Sequence, residues 1–158
     1  MDFFLLNFAL KDAFFAGCAA TAFAFCLGVP RAYILYSGLC AAVGHSVQAV
    51  LLMLGVSLVW STFFGALLIG GLGLFFAKRF LISQVIFAVP GIIPMLPGTF
   101  IFNTFLAIFD KAGMKGVTSA SLALEVFSDF LRAVVILCAL AIGLALPYLM
   151  FRYGEKDY

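Results

Sequence analysis

Long apolar runs, separated by short stretches of turn-forming or charged residues, make up almost the whole chain. Most of these runs reach the roughly 20 residues that a helix needs to cross a bilayer. The pattern therefore predicts an all-α integral membrane protein, with a single membrane domain over residues 1–158. Five spans are expected, over about 13–29, 33–54, 60–77, 81–109 and 118–149.

Turn and charge signals set the ends of the predicted spans. Pro30 ends the first, because proline restricts the residue before it and rarely continues a helix. No Lys, Arg, Asp or Glu occurs from Tyr33 to Ala77. A stretch of this length must hold two spans, so we expect a turn between Gly55 and Trp60. Residues 1–12 form either an interfacial lead-in helix or the start of the first span.

The fourth run contains PGIIPMLPG, Pro90 to Gly98, which holds three of the chain's 5 prolines. Proline has no N–H, and its ring clashes with the carbonyl four residues back. The carbonyls of Ile86, Pro90 and Ile93 therefore lose their helical partners, and such groups cannot face lipid. We expect the run to be broken at 90–98, either as a fifth span or as a re-entrant segment beside four full spans. A merely kinked helix is the alternative, since proline is common in membrane helices.

Composition strengthens the membrane assignment and excludes several classes of protein. Hydrophobic residues make up 66% of the chain and charged residues 10%, against about 45–50% and 25% in soluble domains. The mean hydropathy is +1.23. The net charge of +2 is too small to predict a nucleic-acid-binding protein, and the basic residues form no patch.

Candidate chemistry is sparse. The 4 cysteines lie inside apolar runs without paired spacing, so we expect small buried residues rather than disulfides or metal ligands. The sequence contains no nucleophile elbow, no paired intramembrane carboxylates and no phosphate-binding loop. It therefore predicts neither an enzyme nor a cofactor site.

The distribution of basic residues favours one orientation in the membrane. With five spans, Arg31, Lys78-Arg79 and the C-terminal tail would share one face, and cytoplasmic loops carry an excess of Lys and Arg. The C-terminus is therefore expected in the cytoplasm. Four spans plus a re-entrant segment would change the side on which some of these loops lie.

His45, near the middle of the second predicted span, is the only histidine of the chain. An ionisable side chain at this depth is costly to charge and marks proton or ion pathways in many membrane proteins. His45 is therefore a candidate for proton coupling. The alternative is a neutral histidine, beside Ser46, that hydrogen-bonds a neighbouring helix. With no Glu or Cys at ligand spacing, this lone histidine does not predict a metal site.

Three charged residues near the start of the last span, Glu125, Asp129 and Arg132, are spaced so that they share one helix face. They form either a charged lining that meets a zwitterionic or anionic substrate, or the solvated first turns of a helix longer than the bilayer requires. In the second case their ion pair contributes roughly a few tenths of a kcal/mol.

The broken run is the main candidate for a substrate path. Discontinuous membrane helices often build substrate and ion sites, because their broken ends present free backbone dipoles. The candidate residues of this path are Pro90, Gly91, Pro94, Pro97, Gly98 and Asn103. The amide of Asn103 either adds a ligand to such a site or forms an interhelical contact.

Four short motifs stand out along the chain: Val29-Pro30-Arg31, Gly44-His45, Trp60-Ser61-Thr62-Phe63 and Ile93-Pro94-Met95-Leu96-Pro97-Gly98. In residues and in spacing they resemble the small membrane subunit of the threonine/serine exporter family. The likeness covers nearly the whole chain, and the proline segment is its most specific part.

The resemblance implies a secondary exporter of small amino acids, threonine- or serine-like, or of small carboxylates, driven by protons across the bacterial inner membrane. It also implies a larger membrane subunit as partner, so that this chain would be one subunit of a hetero-oligomer. Two other classes stay open. A small channel would give passive flux. A non-transporting scaffold or assembly subunit would bind partner helices through a flat small-residue face of the third span, made of Gly65, Ala66, Gly70, Gly71 and Gly73.

Overall fold

The computed structural model describes residues 2–113 and 120–154, apart from the side chains of residues 2–6, 8, 103, 107–113, 120–123, 125 and 152–154. Within these ranges the regular structure is entirely helical, as predicted. The α-helices are α1 Asp2–Cys26, α2 Arg31–Met53, α3 Leu58–Phe80, α4 Val85–Ile92, α5 Gly98–Gly113 and α6 Ala120–Gly154. A 3-10 turn, Ile93–Met95, follows α4 directly.

The described residues contain 4 helices that are long and apolar enough to cross a membrane. Their candidate spans are Ala9–Cys26, Arg31–Met53, Leu58–Phe80 and Val126–Phe151. The segments Val85–Met95 and Gly98–Leu106 pass the same test together as one broken span, which raises the number to 5. The prediction of a multi-span helical membrane protein with a broken fourth run is thereby confirmed.

The chain forms two compact units, which we call unit 1 and unit 2. Unit 1 consists of Met1–Met95 and Ala139–Tyr158, and unit 2 consists of Leu96–Cys138. The helix α6 contributes residues to both units. The single membrane domain over residues 1–158 stays a prediction.

Glycine-containing turns follow the first two helices. Gly28, between α1 and α2, has a φ of 73°, and Gly55, between α2 and α3, has a φ of 82°. Glycine adopts positive φ without the steric cost that a Cβ would bring. Pro30 directly precedes α2, where its fixed φ suits the start of a helix. Both turns therefore lie where the sequence predicts them.

The first residues of the chain belong to the first long helix. Since α1 runs unbroken from Asp2 to Cys26, the alternative of a separate lead-in helix is wrong, and residues 2–12 continue directly into the first span. At the other end of the chain, the predicted start of the last span near residue 118 lies outside the described residues. The helix α6 is described from Ala120.

The helix α3 packs against three other helices within unit 1. A Cβ on Gly65 would lie 2.9 Å from the Gly44 carbonyl oxygen of α2, and one on Gly70 would lie 2.8 Å from the Leu144 carbonyl oxygen of α6. Gly73 faces α4. The predicted close helix approach is therefore present, but it is divided among three neighbouring helices instead of forming one face. Successive helix residues are about 100° apart, so these glycines point toward different neighbours.

Large apolar side chains cover the outward faces of the long helices. Phe14 of α1, Leu35 of α2 and Phe75 of α3 each keep more than 60% of their surface exposed. Water-soluble proteins do not expose apolar surface on this scale, whereas lipid tails accept it without cost. The outward faces therefore indicate the same membrane environment as the hydropathy of the chain.

The four cysteines are free thiols. Cys40 is buried, but Cys18, Cys26 and Cys138 are exposed, so the prediction that all of them are buried is wrong for these three. An apolar run in a membrane helix includes the residues that face lipid as well as those in the core. Position within such a run therefore does not predict burial.

Candidate functional site

The proline-glycine segment begins with α4, a helix of 8 residues that lies in unit 1 and is buried on one side. Phe87, Ala88, Pro90 and Gly91 of this helix are buried. The ring centroid of Phe87 lies between 5.8 and 6.4 Å from those of Tyr33, Tyr36, Phe76 and Phe80. Because these partners come from α2 and α3, aromatic contacts hold α4 between the two helices.

A side chain of α2 replaces the hydrogen bond that Pro90 removes. Pro90 cannot donate to the carbonyl of Ile86, four residues earlier. The Ser37 hydroxyl, which is fully buried, donates to that carbonyl at 3.1 Å. The carbonyl is therefore satisfied by a neighbouring helix, as a backbone group at membrane depth must be.

A second hydrogen bond ties the start of α4 to α3. The Gln84 side chain, directly before α4, donates from Nε2 to the Gly70 carbonyl oxygen at 3.0 Å. Further along α4, a Cβ on Gly91 would lie 3.0 Å from Cγ2 of Ile69 and 3.7 Å from the Ala41 backbone nitrogen. The absence of a side chain at Gly91 thus lets α4 approach both neighbouring helices closely.

The break begins later than the sequence predicts. The α-helix continues through Pro90 and Gly91, changes to the 3-10 turn at Ile93, and leaves helical geometry at residues 96 and 97. The Ser37 hydrogen bond accounts for this continuation, because it compensates for the N–H that Pro90 lacks. Met95, at the end of the turn, is buried, and its methyl carbon lies 2.8 Å from where a Cβ on Gly65 would stand.

Gly98, the glycine of the second Pro-Gly dipeptide, lies in open surroundings among the described residues. It is exposed, its φ is not positive, and no described atom lies within 4 Å of the place where its Cβ would be. Close backbone approach therefore does not explain this glycine within the described residues. Gly91 is the glycine of the segment that packs closely.

The predicted path residues are divided between the two units. Pro90, Gly91 and Pro94 belong to unit 1, whereas Pro97, Gly98 and Asn103 belong to unit 2. The backbone of Asn103 lies in α5, and its side chain is outside the described part of the structure. The structure thus places the first three residues in α4 and its 3-10 turn, and the role of all six in a substrate path stays a prediction.

His45 forms a contact with a carboxylate of the first helix. Its Nδ1 lies 3.3 Å from Oδ2 of Asp12, and the two side chains are 15% and 36% exposed. The other ring nitrogen, Nε2, is buried and has no hydrogen-bond partner among the described residues. The structure therefore pairs the candidate proton-coupling residue with an acidic side chain and leaves one ring nitrogen unengaged.

Sequence reasoning missed Asp12. The residue lies in the part of the chain that the hydropathy pattern left open between a lead-in helix and the first span. One signal was available: Asp12 is the only Asp or Glu between residues 3 and 109, and His45 is the only histidine. Within neighbouring apolar helices, a single carboxylate and a single imidazole have few other charged or polar side chains with which to pair.

A second polar contact, formed by two buried side chains, lies one turn further along α2. Gln48 donates from Nε2 to the Thr62 hydroxyl of α3 at 2.8 Å, and both side chains are buried. The Thr62 hydroxyl in turn donates to the Leu58 carbonyl at 2.7 Å. Residues three apart share a helix face, so His45 and Gln48 form a short row of polar side chains along α2.

The charged residues at the start of α6 form a local pair within unit 2. Arg132 Nη1 lies 3.9 Å from Asp129 Oδ1, and the Arg132 side chain is 67% exposed. The side chain of Glu125 lies outside the described part of the structure. A charged lining made of these three residues therefore stays a prediction.

Unit 1 also contains a cavity of about 830 Å³ near the start of α4. Its lining is mainly apolar, with polar groups from Lys78, Ser83, Gln84 and Tyr148. Such a lining suits molecules with an apolar body and a polar end. Among the described residues, no group of three or more His, Cys, Asp or Glu side chains is arranged to hold a metal ion.

Comparison with known proteins identifies relatives over most of the chain. The family described as "Threonine/Serine exporter, ThrE" matches residues 12–150. An uncharacterized protein of Haemophilus influenzae is 35% identical over 147 residues, which are 93% of this chain and 48% of the relative. The chain thus spans about half the length of the curated relative it matches. No solved structure matches it.

Proposed function

The chain belongs to the threonine/serine exporter family, and from this premise we propose that it is one subunit of a proton-driven exporter. The exporter would move small amino acids, threonine- or serine-like, or small carboxylates across the bacterial cytoplasmic membrane. Family membership supports the transport of such a solute, and the apolar helices support a multi-pass membrane location. The proposed cytoplasmic C-terminus follows from the distribution of basic residues.

The observation that carries this proposal is α4, a helix of 8 residues with a proline inside it and one side buried. A short helix with an interior proline, packed between two full-length helices, is more elaborate than a membrane crossing requires, whether or not it forms one broken span with α5. Secondary transporters use such discontinuous helices to present backbone groups to their substrates. We propose that the substrate path passes the end of α4, at Pro90, Gly91 and Pro94. Pro97, Gly98 and Asn103 complete this hypothesis on sequence grounds.

The substrate's charged ends would be met by backbone groups rather than by side-chain charges. The carbonyls of Pro90 and Ile93, which Pro94 and Pro97 leave without helical donors, would accept hydrogen bonds from an ammonium group, and the first N–H groups of a helix would donate to a carboxylate. The side chains on α4 and its 3-10 turn are apolar. Glu125, Asp129 and Arg132 stay candidates for a charged lining that meets the same solute.

Proton coupling is assigned to His45. Its imidazole changes charge near neutral pH in water, and within a bilayer charging it requires a carboxylate or water nearby. The Asp12 carboxylate at 3.3 Å supports this role. We therefore expect a His45→Gln variant to retain the fold and to lose the pH dependence of export.

The scaffold alternative is weakened by the packing of α3. Its Gly65, Gly70 and Gly73 already contact neighbouring helices within unit 1, so they are not free to bind the helices of another protein. Gly71 is the glycine of this helix that has no described atom within 4 Å of the place where a Cβ would stand. One such position offers little surface for a dedicated assembly factor.

Reconstitution into liposomes tests the proposal. We expect counterflow of labelled serine, threonine or a dicarboxylate when this chain is combined with its larger partner subunit, and none from the purified chain alone. The chain alone offers few polar groups to a hydrophilic solute. Flux that needs no proton gradient and shows no counterflow would instead indicate a channel. Altered partner levels without any flux would indicate a scaffold.

A further inference from the structure

We propose that Asp12 is the positioning residue for the proton on His45, and that Nε2 of His45 is the atom that gains and loses this proton. The role in transport rests on the proposed function. The pairing itself is a property of α1 and α2 and can be tested without transport.

When Asp12 is ionised, the geometry selects the ring nitrogen that carries hydrogen on a neutral His45. A neutral imidazole has one N–H donor and one acceptor nitrogen, and an ionised carboxylate can only accept. Because Nδ1 lies 3.3 Å from Oδ2 of Asp12, Nδ1 is the nitrogen that donates. Nε2 is then the acceptor, and it is buried without a partner among the described residues. A proton arriving at His45 therefore binds at Nε2.

No other charged side chain of the described residues competes for His45 from the elements packed against α2. On α1, the adjacent Lys11 is exposed. On α3, the charged residues are Lys78 and Arg79 in the last turn, more than three helical turns beyond Gly65, the residue that meets Gly44 beside His45. The helix α4 and its 3-10 turn contain no titratable side chain. Asp12 is thus the carboxylate that faces this imidazole.

The pair would make the contact between α1 and α2 depend on protonation. The contact between α2 and α3 would not depend on it. Protonated His45 and Asp12 attract each other as opposite charges across α1 and α2, and the attraction becomes a weaker hydrogen bond when Nε2 loses its proton. The contact of α2 with α3, through Gln48 and Thr62, contains no titratable group. Proton binding would therefore tighten α1 against α2 and leave the α2–α3 contact unchanged.

The single histidine makes the pairing directly measurable. The purified full chain, with ¹⁵N-labelled histidine in lipid nanodiscs, gives the nitrogen signals of one imidazole, and these distinguish the two neutral tautomers. We expect the Nδ1–H form to dominate in the natural chain, although free histidine favours Nε2–H. In Asp12→Leu this dominance should be lost, and in Asp12→Glu it should be restored at least in part.

A matched control separates the pairing from a general change of charge on α1. Lys11→Gln changes the exposed neighbouring residue and should leave the tautomer unchanged. Dominance of Nε2–H in the natural chain, or an identical spectrum for Asp12→Leu, would overturn the pairing.

A second experiment measures counterflow by the chain together with its proposed larger partner subunit. There, Asp12→Leu should flatten the pH profile of counterflow as His45→Gln does, and the double variant should flatten it no further. An unaltered pH profile in Asp12→Leu would overturn the role in coupling. Absence of counterflow from the natural chain with its partner would instead count against the proposed function, while the nitrogen spectra still decide the pairing.

Discussion

The two Pro-Gly dipeptides of the broken run, Pro90-Gly91 and Pro97-Gly98, have the same sequence but different surroundings. Pro90 and Gly91 are buried inside α4, and Gly91 closely approaches Ile69. Gly98 is the first residue of α5, is exposed, and has open space among the described residues where a Cβ would stand. The first dipeptide therefore allows α4 to pack within unit 1, whereas the second marks where helical structure resumes.

Proline within a membrane helix therefore does not by itself locate the break. Pro90 would end a helix in isolation, but the Ser37 hydroxyl occupies the carbonyl that it leaves free, and the helix continues to Ile92. The structure changes at Ile93, close to the next proline, where the 3-10 turn begins. A tertiary partner thus decides which proline ends the helix.

The largest effect is expected from adding a side chain at the buried glycine. Gly91→Val would place a Cβ 3.0 Å from Ile69 Cγ2, and its two further methyl groups would need space that a packed core does not have. Such overpacking costs about 1–3 kcal/mol or more of the free energy of unfolding. Unfolding of the purified protein in detergent micelles measures this effect.

Gly98→Val is the matched control for this substitution. It should change the free energy of unfolding by less than about 0.5 kcal/mol, the usual range for an exposed position. Equal destabilisation by the two valines would remove the distinction between the two dipeptides.

A smaller effect is expected when the Ile86 carbonyl loses its side-chain donor. Ser37→Ala removes the hydroxyl that lies 3.1 Å from this part-buried carbonyl oxygen, and the loss of one such hydrogen bond typically costs about 0.5–1.5 kcal/mol. Ser46→Ala is the control, because the Ser46 hydroxyl donates to Ala42 within its own helix. A lower melting temperature for Ser37→Ala than for Ser46→Ala is the expected result. Equal melting temperatures would mean that another group satisfies the carbonyl.

The smallest effect is expected for the charged pair of unit 2. Asp129→Asn removes an i, i+3 contact of 3.9 Å whose Arg132 partner is 67% exposed. Pairs of this kind contribute roughly 0–0.5 kcal/mol, so the melting temperature should hardly change. If export from the reconstituted complex falls severalfold while stability is kept, Asp129 belongs to a charged lining. Unchanged export would leave it as a solvated residue of α6.

Much of the fold could be predicted from the chain, because it depends on local properties. Hydropathy identifies the long helices, Gly28 and Gly55 mark turns, and the prolines indicate a broken run. These signals work because a membrane helix must satisfy its own backbone and match the bilayer thickness. The small residues of α3 indicated close packing, but not that it would involve three different helices.

The candidate site was less predictable, because its contacts join residues far apart in the sequence. The bond from Ser37 to Ile86 and the contact of Asp12 with His45 each join two different helices. Neither Ser37 nor Asp12 has a local pattern that marks its role. The open space where a Cβ on Gly98 would stand likewise depends on what surrounds the residue, and the Pro-Gly dipeptide alone does not indicate it.

We propose that the substrate path passes the end of α4 and the proline segment that follows it. The Pro94→Ala/Pro97→Ala double variant tests it most directly, because it restores two N–H donors and removes residues that each disfavour a helix by about 3 kcal/mol. The measurement is counterflow per reconstituted molecule, with the larger partner subunit present and the folded amount determined in parallel. We expect a protein that is more helical and no less stable, and whose export collapses. Normal export per molecule from this variant would contradict the claim.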